Sequence, residues 1–287
     1  MSFPLDKPFE RLPPENSLSA VVLRLIVNFD SDNPYAVATA TLVTGHLALT
    51  AKHVFSDVWD VPPEVDARSV EVYNSLSAVQ VLPGPSYVVW DVRQAWACPH
   101  SDIALLQLGA NPRRSNDSPI VHRSLRINPF PPKPDATVAA FGFRKSRLTV
   151  TKDAAGVKHL DLRDEMMSSV GTVREIHEFR RDAVVMPFPC YRVAARFDGG
   201  MSGGAVVDED GSLCGIVCSS YDDSHLDGEP ISYVSTLWPI FPLNISADRG
   251  DRFPRGVEYQ VIELARGGQL LVTDPDRLEK WMTSLDR

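Results

Sequence analysis

Three short segments hold side chains whose types suit covalent chemistry. In LALTAKHVF (47–55) a buried-type strand runs into a small-residue turn that presents His53. A neutral imidazole is the side chain best suited to moving a proton near pH 7. In SDIALLQL (101–108) Asp102 opens an almost unbroken apolar strand. A carboxylate at the lip of such a strand is desolvated unless something pairs with it. In RFDGGMSGGAVVDEDGSLCGIV (196–217) Ser202 is framed by Gly199, Gly200, Gly203 and Gly204. Glycines open backbone conformations closed to other residues and clear space beside the hydroxyl. The N–H groups of Gly200 and Ser202 could then converge on one point, the oxyanion hole that acyl transfer needs. Taken singly, each segment has a plainer reading. His53 fits a structural or exposed histidine, Asp102 a strand-start cap, and the glycine run a hairpin turn.

Other chemistries fit less well. No Lys-Ser or Lys-Thr pair follows the glycines, so they are not a phosphate loop of the Walker A kind, and β-rich sequence follows where a dinucleotide site needs a helix. Of the four cysteines, Cys98, Cys190, Cys214 and Cys218, only the last two lie close in sequence, and a zinc site would need more ligands at tighter spacing. No metal and no cofactor is expected. Cys214 and Cys218 are four apart on a predicted strand, which puts them on one face, and all four read as buried thiols.

Composition narrows the partners. The 287 residues are 44% hydrophobic and 23% charged, with a formal net charge of -8. Such a chain is globular, and its acidity is not the footprint of a nucleic-acid binder. The start, MSFPLDKPFERLPPENSLSA, lacks a basic segment followed by an apolar run and a cleavage site, so a cytoplasmic location is expected. AVVLRLIV (20–27) is too short to cross a bilayer, and no membrane contact is expected.

Strands must position the three segments. Short β-branched runs occur at 20–27, 36–43, 46–52, 69–74, 86–92 and 102–108. A proline-rich stretch at 109–137 reads as a connector. Strands resume at 137–143, 169–176, 182–188, 191–197, 204–209, 213–220 and 231–237. Two strand-rich halves imply two packed barrels or one long sandwich. Beyond them, 248–256 reads as a charged loop, 257–264 and 269–273 as an added hairpin, and the tail as a helix capped by Thr273 or Asp274. Leu278, Trp281, Met282 and Leu285 share a face of that helix, which is expected to dock on the body.

The order His53, Asp102, Ser202 and the contexts LTAKH (49–53), DIALL (102–106) and GMSGG (200–204) closely resemble the chymotrypsin/trypsin-like serine peptidase family. The resemblance covers roughly residues 20–240. It implies an all-β fold of two packed antiparallel six-stranded β-barrels, here with a C-terminal hairpin and helix extension. The implied organisation is an N-terminal extension (1–19), a first barrel with His53 and Asp102 (20–125), a second barrel with Ser202 (126–243) and the extension (244–287). It implies a serine endopeptidase acting on a protein or peptide, in which His53 takes the Ser202 proton and Asp102 orients the imidazole.

The departures from the family are specific. Met201 stands where activatable members carry an aspartate that pairs with a new N-terminus, so that switch is not expected. The disulfides of secreted members are missing, and Val54 replaces a paired cysteine. GIVCSS (215–220) resembles the strand that borders the specificity pocket. It puts Cys218 where a serine often supports the aspartate, and Ser219 and Ser220 in place of an aromatic and a glycine. By offset, Arg196 lies near the pocket floor and Ile231 and Tyr233 on the opposite wall. Arg196 then either favours an acidic residue before the scissile bond or pairs with Asp198. Two other readings stand beside the peptidase: a silent binding or scaffold protein of this fold, and an esterase using the same three residues. An intracellular peptidase needs restraint, by narrow specificity, a malformed oxyanion loop or a regulatory protein.

Overall fold

The computed structural model describes residues 8–13, 16–56, 70–71, 76–82, 86–111, 115, 124–156, 158–221, 230–246 and 257–285. The charged loop expected at 248–256 lies outside them, as does the strand expected at 69–74 apart from two residues. The strands run β1 (Phe9–Arg11), β2 (Val22–Val27), β3 (Tyr35–Leu42) and β4 (Leu47–Ala51), followed by the short helix α1 (His53–Ser56). Next come β5 (Val70–Glu71), β6 (Leu76–Val81), β7 (Tyr87–Ala97) and β8 (Ile103–Ala110). After the connector come β9 (Thr137–Lys152), β10 (Lys158–His177), β11 (Cys190–Ala194), β12 (Ala205–Val207), β13 (Leu213–Tyr221) and β14 (Ile231–Ser235). The chain closes with β15 (Asn244–Ile245), β16 (Tyr259–Gln260), α2 (Ile262–Arg266) and α3 (Pro275–Leu285).

These strands form two antiparallel sheets. One has the order β5-β7-β6-β2-β3-β4-β8, with β7 also paired to β8. The other has the order β1-β10-β11-β14-β13-β12-β9. There β9 also pairs with β10, so six of its strands close into a barrel. Strands such as VLRLIV and LALTA are buried along their whole length, which suits their mainly aliphatic and β-branched runs, with Arg24 the one charged residue in the first. Among the described residues no helix is long and apolar enough to cross a membrane.

The structure corrects three expectations and adds a strand in the N-terminal extension. Residues 182–188 form a loop, because Asp182 Oδ1 accepts the N–H groups of Val184, Val185 and Met186 at 2.8, 2.6 and 3.3 Å. Backbone donors held by that side chain cannot build a ladder. The expected hairpin at 257–264 and 269–273 is instead a two-residue strand paired with β15, then α2. Glu263, Leu264, Ala265 and Arg266 are good helix formers, and Gly267 and Gly268 stop them. The N-terminal extension contributes β1, which pairs with β10 through Phe9↔Ser169 and Arg11↔Met167. Finally, β12 opposes Val206 to Gly215 but Val207 to Leu213, a bulge at Cys214. One extra residue reverses the alternation of side chains. Cys214 therefore packs into the barrel with Tyr191, while Cys218 faces Asp102.

The β9–β10 hairpin is longer than the apolar runs suggested. Its outer halves alternate, with Leu148 and Leu162 turned onto Ile26, Val79 and Val89 of the first sheet. Deeper in the interface, Arg24 of β2 donates to Asp164 of β10 (Nη2···Oδ1 2.6 Å), and its guanidinium stacks 3.8 Å from the centre of the Phe143 ring. Burial pushes the Arg24 pKa down to about 9. The C-terminal helix docks as expected. Leu278 is fully buried, Trp281 packs on Trp238 with ring centres 4.7 Å apart, and Asp274 Oδ1 caps Arg277 N–H at 3.0 Å.

Removing one partner of a buried ion pair strands the other charge. Asp164→Ala is expected to lower unfolding stability by about 3–5 kcal/mol, read from urea melts.

Candidate active site

Register brings His53 and Asp102 together. The last residue of β4 pairs with the first of β8, Ala51↔Ile103, so the residues just beyond them meet. Lys52 N–H donates to the Asp102 carbonyl at 3.1 Å. His53 gives the Asp102 carboxylate two contacts, its backbone N–H to Oδ1 at 2.8 Å and its ring Nδ1 to Oδ2 at 2.7 Å. The Asp102 side chain is 7% exposed and that of His53 42%, so the carboxylate is buried while the imidazole still faces solvent. Nδ1 held on a carboxylate leaves Nε2 to accept a proton.

The Cys218 thiol completes this corner. The ligand atoms of His53, Asp102 and Cys218 all lie within 4.8 Å of one another. Burial, together with the Asp102 charge and their hydrogen bond, raises the Cys218 pKa well above the usual thiol value. It is therefore a neutral thiol, a weak donor to Asp102. The three donor types could in principle ligate a soft cation, but Asp102 already holds two His53 donors at hydrogen-bond distance. The thiol's proton also resists loss. The residues present fit a protonated hydrogen-bond cluster better than a resident metal.

The serine turn sits between the sheets. Gly203 N–H donates to Val217 O at 2.9 Å, and Val217 N–H to Gly204 O at 3.0 Å, which ties the turn to β13. On its other side Thr39 N–H donates to Ser202 O at 2.9 Å, and the Thr41 hydroxyl to Gly203 O at 3.2 Å. A Cβ on Gly203 would lie 2.1 Å from Thr39 O and 3.0 Å from Ala51 N, and its φ is +84°. Only glycine allows that approach, which brings the turn to the end of β4, two residues from His53. Ser202 Oγ lies 3.4 Å from the Cys218 carbonyl, next to the thiol that faces Asp102.

Gly200, at φ +93°, is held by a residue the sequence did not single out. The Thr39 hydroxyl donates to Gly200 O at 2.8 Å and accepts Phe143 N–H at 3.0 Å. Nothing in ATAT (38–41) marks one threonine over the other, so only the fold reveals it. Among the described residues neither Gly200 N–H nor Ser202 N–H has a hydrogen-bond partner. Met201 is fully buried in the barrel core, against Gly142.

The remaining candidates are less gathered. Arg196 is 60% exposed at its side chain and bonds Asp198 Oδ1 at 2.7 Å, the pairing weighed against a pocket-floor role. Ser220 donates to Phe197 O at 2.7 Å, and Ser232, opposite it in register, to Ala195 O at 2.7 Å. Tyr233, opposite Ser219, is buried against Met186 and Cys190 with Ile231 beside it. Tyr233 thus backs the sheet rather than presenting a surface.

The family model described as a trypsin-like peptidase domain matches residues 38–216. The chain belongs to the trypsin-like peptidase family. Its match spans β3 to β13 and takes in His53, Asp102 and Ser202. Among solved structures, this trypsin-like peptidase is similar to the Rv3671c protease from M. tuberculosis. The active form aligns with a TM-score of 0.47 at 18% identity, over 82% of this chain and 90% of that one. The inactive form aligns with a TM-score of 0.44 at 16% identity, over 77% and 87%. No curated protein matches the sequence.

Two outcomes follow from this site. Thr39 is fully buried, so Thr39→Val leaves the Phe143 N–H and the Gly200 carbonyl without their partner. A stability loss of about 1–3 kcal/mol in urea melts is expected. The four cysteines are free and buried, and burial pushes the Cys98 and Cys190 pKa values up to about 12. Iodoacetamide at pH 8 is expected to leave the folded protein unmodified and to alkylate it after denaturation, read by intact mass.

Proposed function

We propose that this trypsin-like peptidase is a serine endopeptidase. Ser202 attacks the scissile carbonyl while His53 Nε2 takes its proton and later gives it to the leaving amine. The acyl-enzyme is then hydrolysed by water along the same route. Asp102 fixes the tautomer and stabilises the imidazolium without taking the proton. The observation that carries the reading is the pair of contacts from His53 to the buried Asp102 carboxylate, with Ser202 seated across the sheet junction. The N–H groups of Gly200 and Ser202 form the oxyanion hole. That neither has a partner among the described residues, together with the Thr39 tie on Gly200, supports a hole that is assembled, not latent.

The substrate is a protein or peptide. Among the described residues β13 pairs with β12 only as far as Ile216, which supports an edge at Cys218–Ser220 that receives an extended substrate strand. The first sheet is read as a second six-stranded barrel, since β7 pairs with both β6 and β8. Residues 20–125 and 126–243 are the two units, with the reaction between them. Four buried free thiols suit a reducing, intracellular compartment.

A fluorophosphonate probe tests the reading. Wild-type protein is expected to be labelled once, at Ser202, and Ser202→Ala not at all. Asp102→Asn is expected to lower kcat on a peptide substrate by roughly 10⁴-fold, the loss typical of a triad given the wrong tautomer. Folded wild-type protein that takes up no probe would sink the proposal. Turnover of esters without cleavage of any peptide would reassign the reaction.

A further inference from the structure

The oxyanion turn is rich in glycine, and glycine has little conformational preference of its own. Its geometry therefore needs restraint from outside, and besides Thr39, Thr41 and Val217 a second set of contacts converges on Asp198, the only charged residue of DGGMSGG (198–204). Arg144 Nη1 donates to Asp198 Oδ2 at 2.6 Å, and Arg144 Nε to Glu165 at 2.8 Å. Arg196 Nε donates to Asp198 Oδ1 at 2.7 Å and its Nη2 to Oδ2 at 3.3 Å, so two guanidiniums hold the one carboxylate and share Oδ2. Burial pulls the Asp198 pKa up, but the hydrogen bonds and charges of Arg196 and Arg144 outweigh it and hold the carboxylate below its usual range.

The same turn is closed from within. The Asp198 carbonyl accepts Met201 N–H at 3.1 Å, and Asp198 N–H points at Met201 Sδ at 3.3 Å. Fixing Asp198 therefore fixes the peptide that leads to Ser202. The bed beneath is β9, where a Cβ on Gly200 would come within 2.8 Å of Phe143 O, beside Arg144.

Both guanidiniums rest on one ring. Phe9 lies with its centre 5.0 Å from Arg144 Cζ and 4.9 Å from Arg196 Cζ, within cation–π range. Phe9 belongs to β1, the strand the N-terminal segment adds to β10. We propose that β1 is a positioning element for catalysis. Phe9 orients Arg144 and Arg196, these clamp Asp198, and Asp198 holds the Gly200 and Ser202 N–H groups where the oxyanion forms. Arg196 is then a positioning residue rather than a substrate-selecting one, and displacing β1 turns the enzyme down. The inference rests on the reading of Gly200 and Ser202 as the oxyanion hole.

A misplacement of about 1 Å in such a site lowers rate by roughly 100-fold. Phe9→Ala, Arg144→Gln and Asp198→Asn are each expected to lower kcat by roughly 10- to 100-fold, with KM within about twofold of wild type. Phe9→Trp keeps a ring face and is expected to restore kcat. Amide hydrogen exchange across 199–203 is expected to quicken in Phe9→Ala, a variant that leaves every charge in place and serves where a charge variant unfolds. Unchanged exchange there, or an unchanged kcat in all three variants of an active enzyme, overturns the proposal. If folded wild-type protein turns over no substrate, the peptidase reading is what fails. The exchange measurement then decides the clamp by itself.

Discussion

The closeness with which the Gly200–Gly204 turn approaches the first sheet governs the rest of the site. At Gly203 there is no room for a Cβ between the Thr39 carbonyl and the Ala51 amide, and at Gly204 none beside the Phe141 carbonyl, 2.1 Å from where it would lie. Backbone this tightly enclosed must satisfy its polar groups within the protein. Thr39, Thr41 and Val217 do so from opposite sides, which seats Ser202 at the junction of the two sheets. The same contact reaches the end of β4, where the chain turns into His53.

The second dependence is electrostatic. Asp102 is nearly as buried as a core residue, and a carboxylate there is tolerated only when its oxygens are fully used. Both oxygens are taken by His53, one through its backbone and one through its ring. Orientation of the imidazole and stabilisation of the carboxylate are therefore a single arrangement. The neutral Cys218 thiol adds a weak third donor.

Relative placement of the sheets rests on the β9–β10 hairpin and on Arg24. The hairpin reaches over the first sheet with Leu148 and Leu162, and its tip pairs Lys152 with Asp32 at 3.1 Å. Arg24 and Asp164 meet in the buried interface beside Phe143, the residue whose N–H the Thr39 hydroxyl accepts. The elements that join the sheets are thus the ones that shape the Gly200–Gly204 turn. β1 is laid on the far side of the same strand pair.

Much of this was legible in the residues themselves. His53, Asp102 and Ser202 stand out in the sequence by their settings: an imidazole at a strand end, a carboxylate opening an apolar strand and a hydroxyl framed by glycines. Strands such as 22–27, 47–51 and 103–110 follow from their own apolar runs, and α3 from its cap and one-sided face. What lay beyond the sequence depends on partners distant along the chain. The bulge at Cys214 comes from how β12 meets β13, and with it Cys214 and Cys218 come to lie on different faces. The loop at 182–188 reads as a strand until Asp182 takes its amide protons. Thr39, Arg144 and Phe9 carry no mark in the sequence, and only packing sets Thr39 against Gly200, Arg144 against Asp198 and Phe9 against Arg144 and Arg196. Residue type decides which chemistry is available and local periodicity decides the elements. Register, bulges and side-chain contacts between sheets are long-range choices, so the tertiary structure alone decided how the site is held.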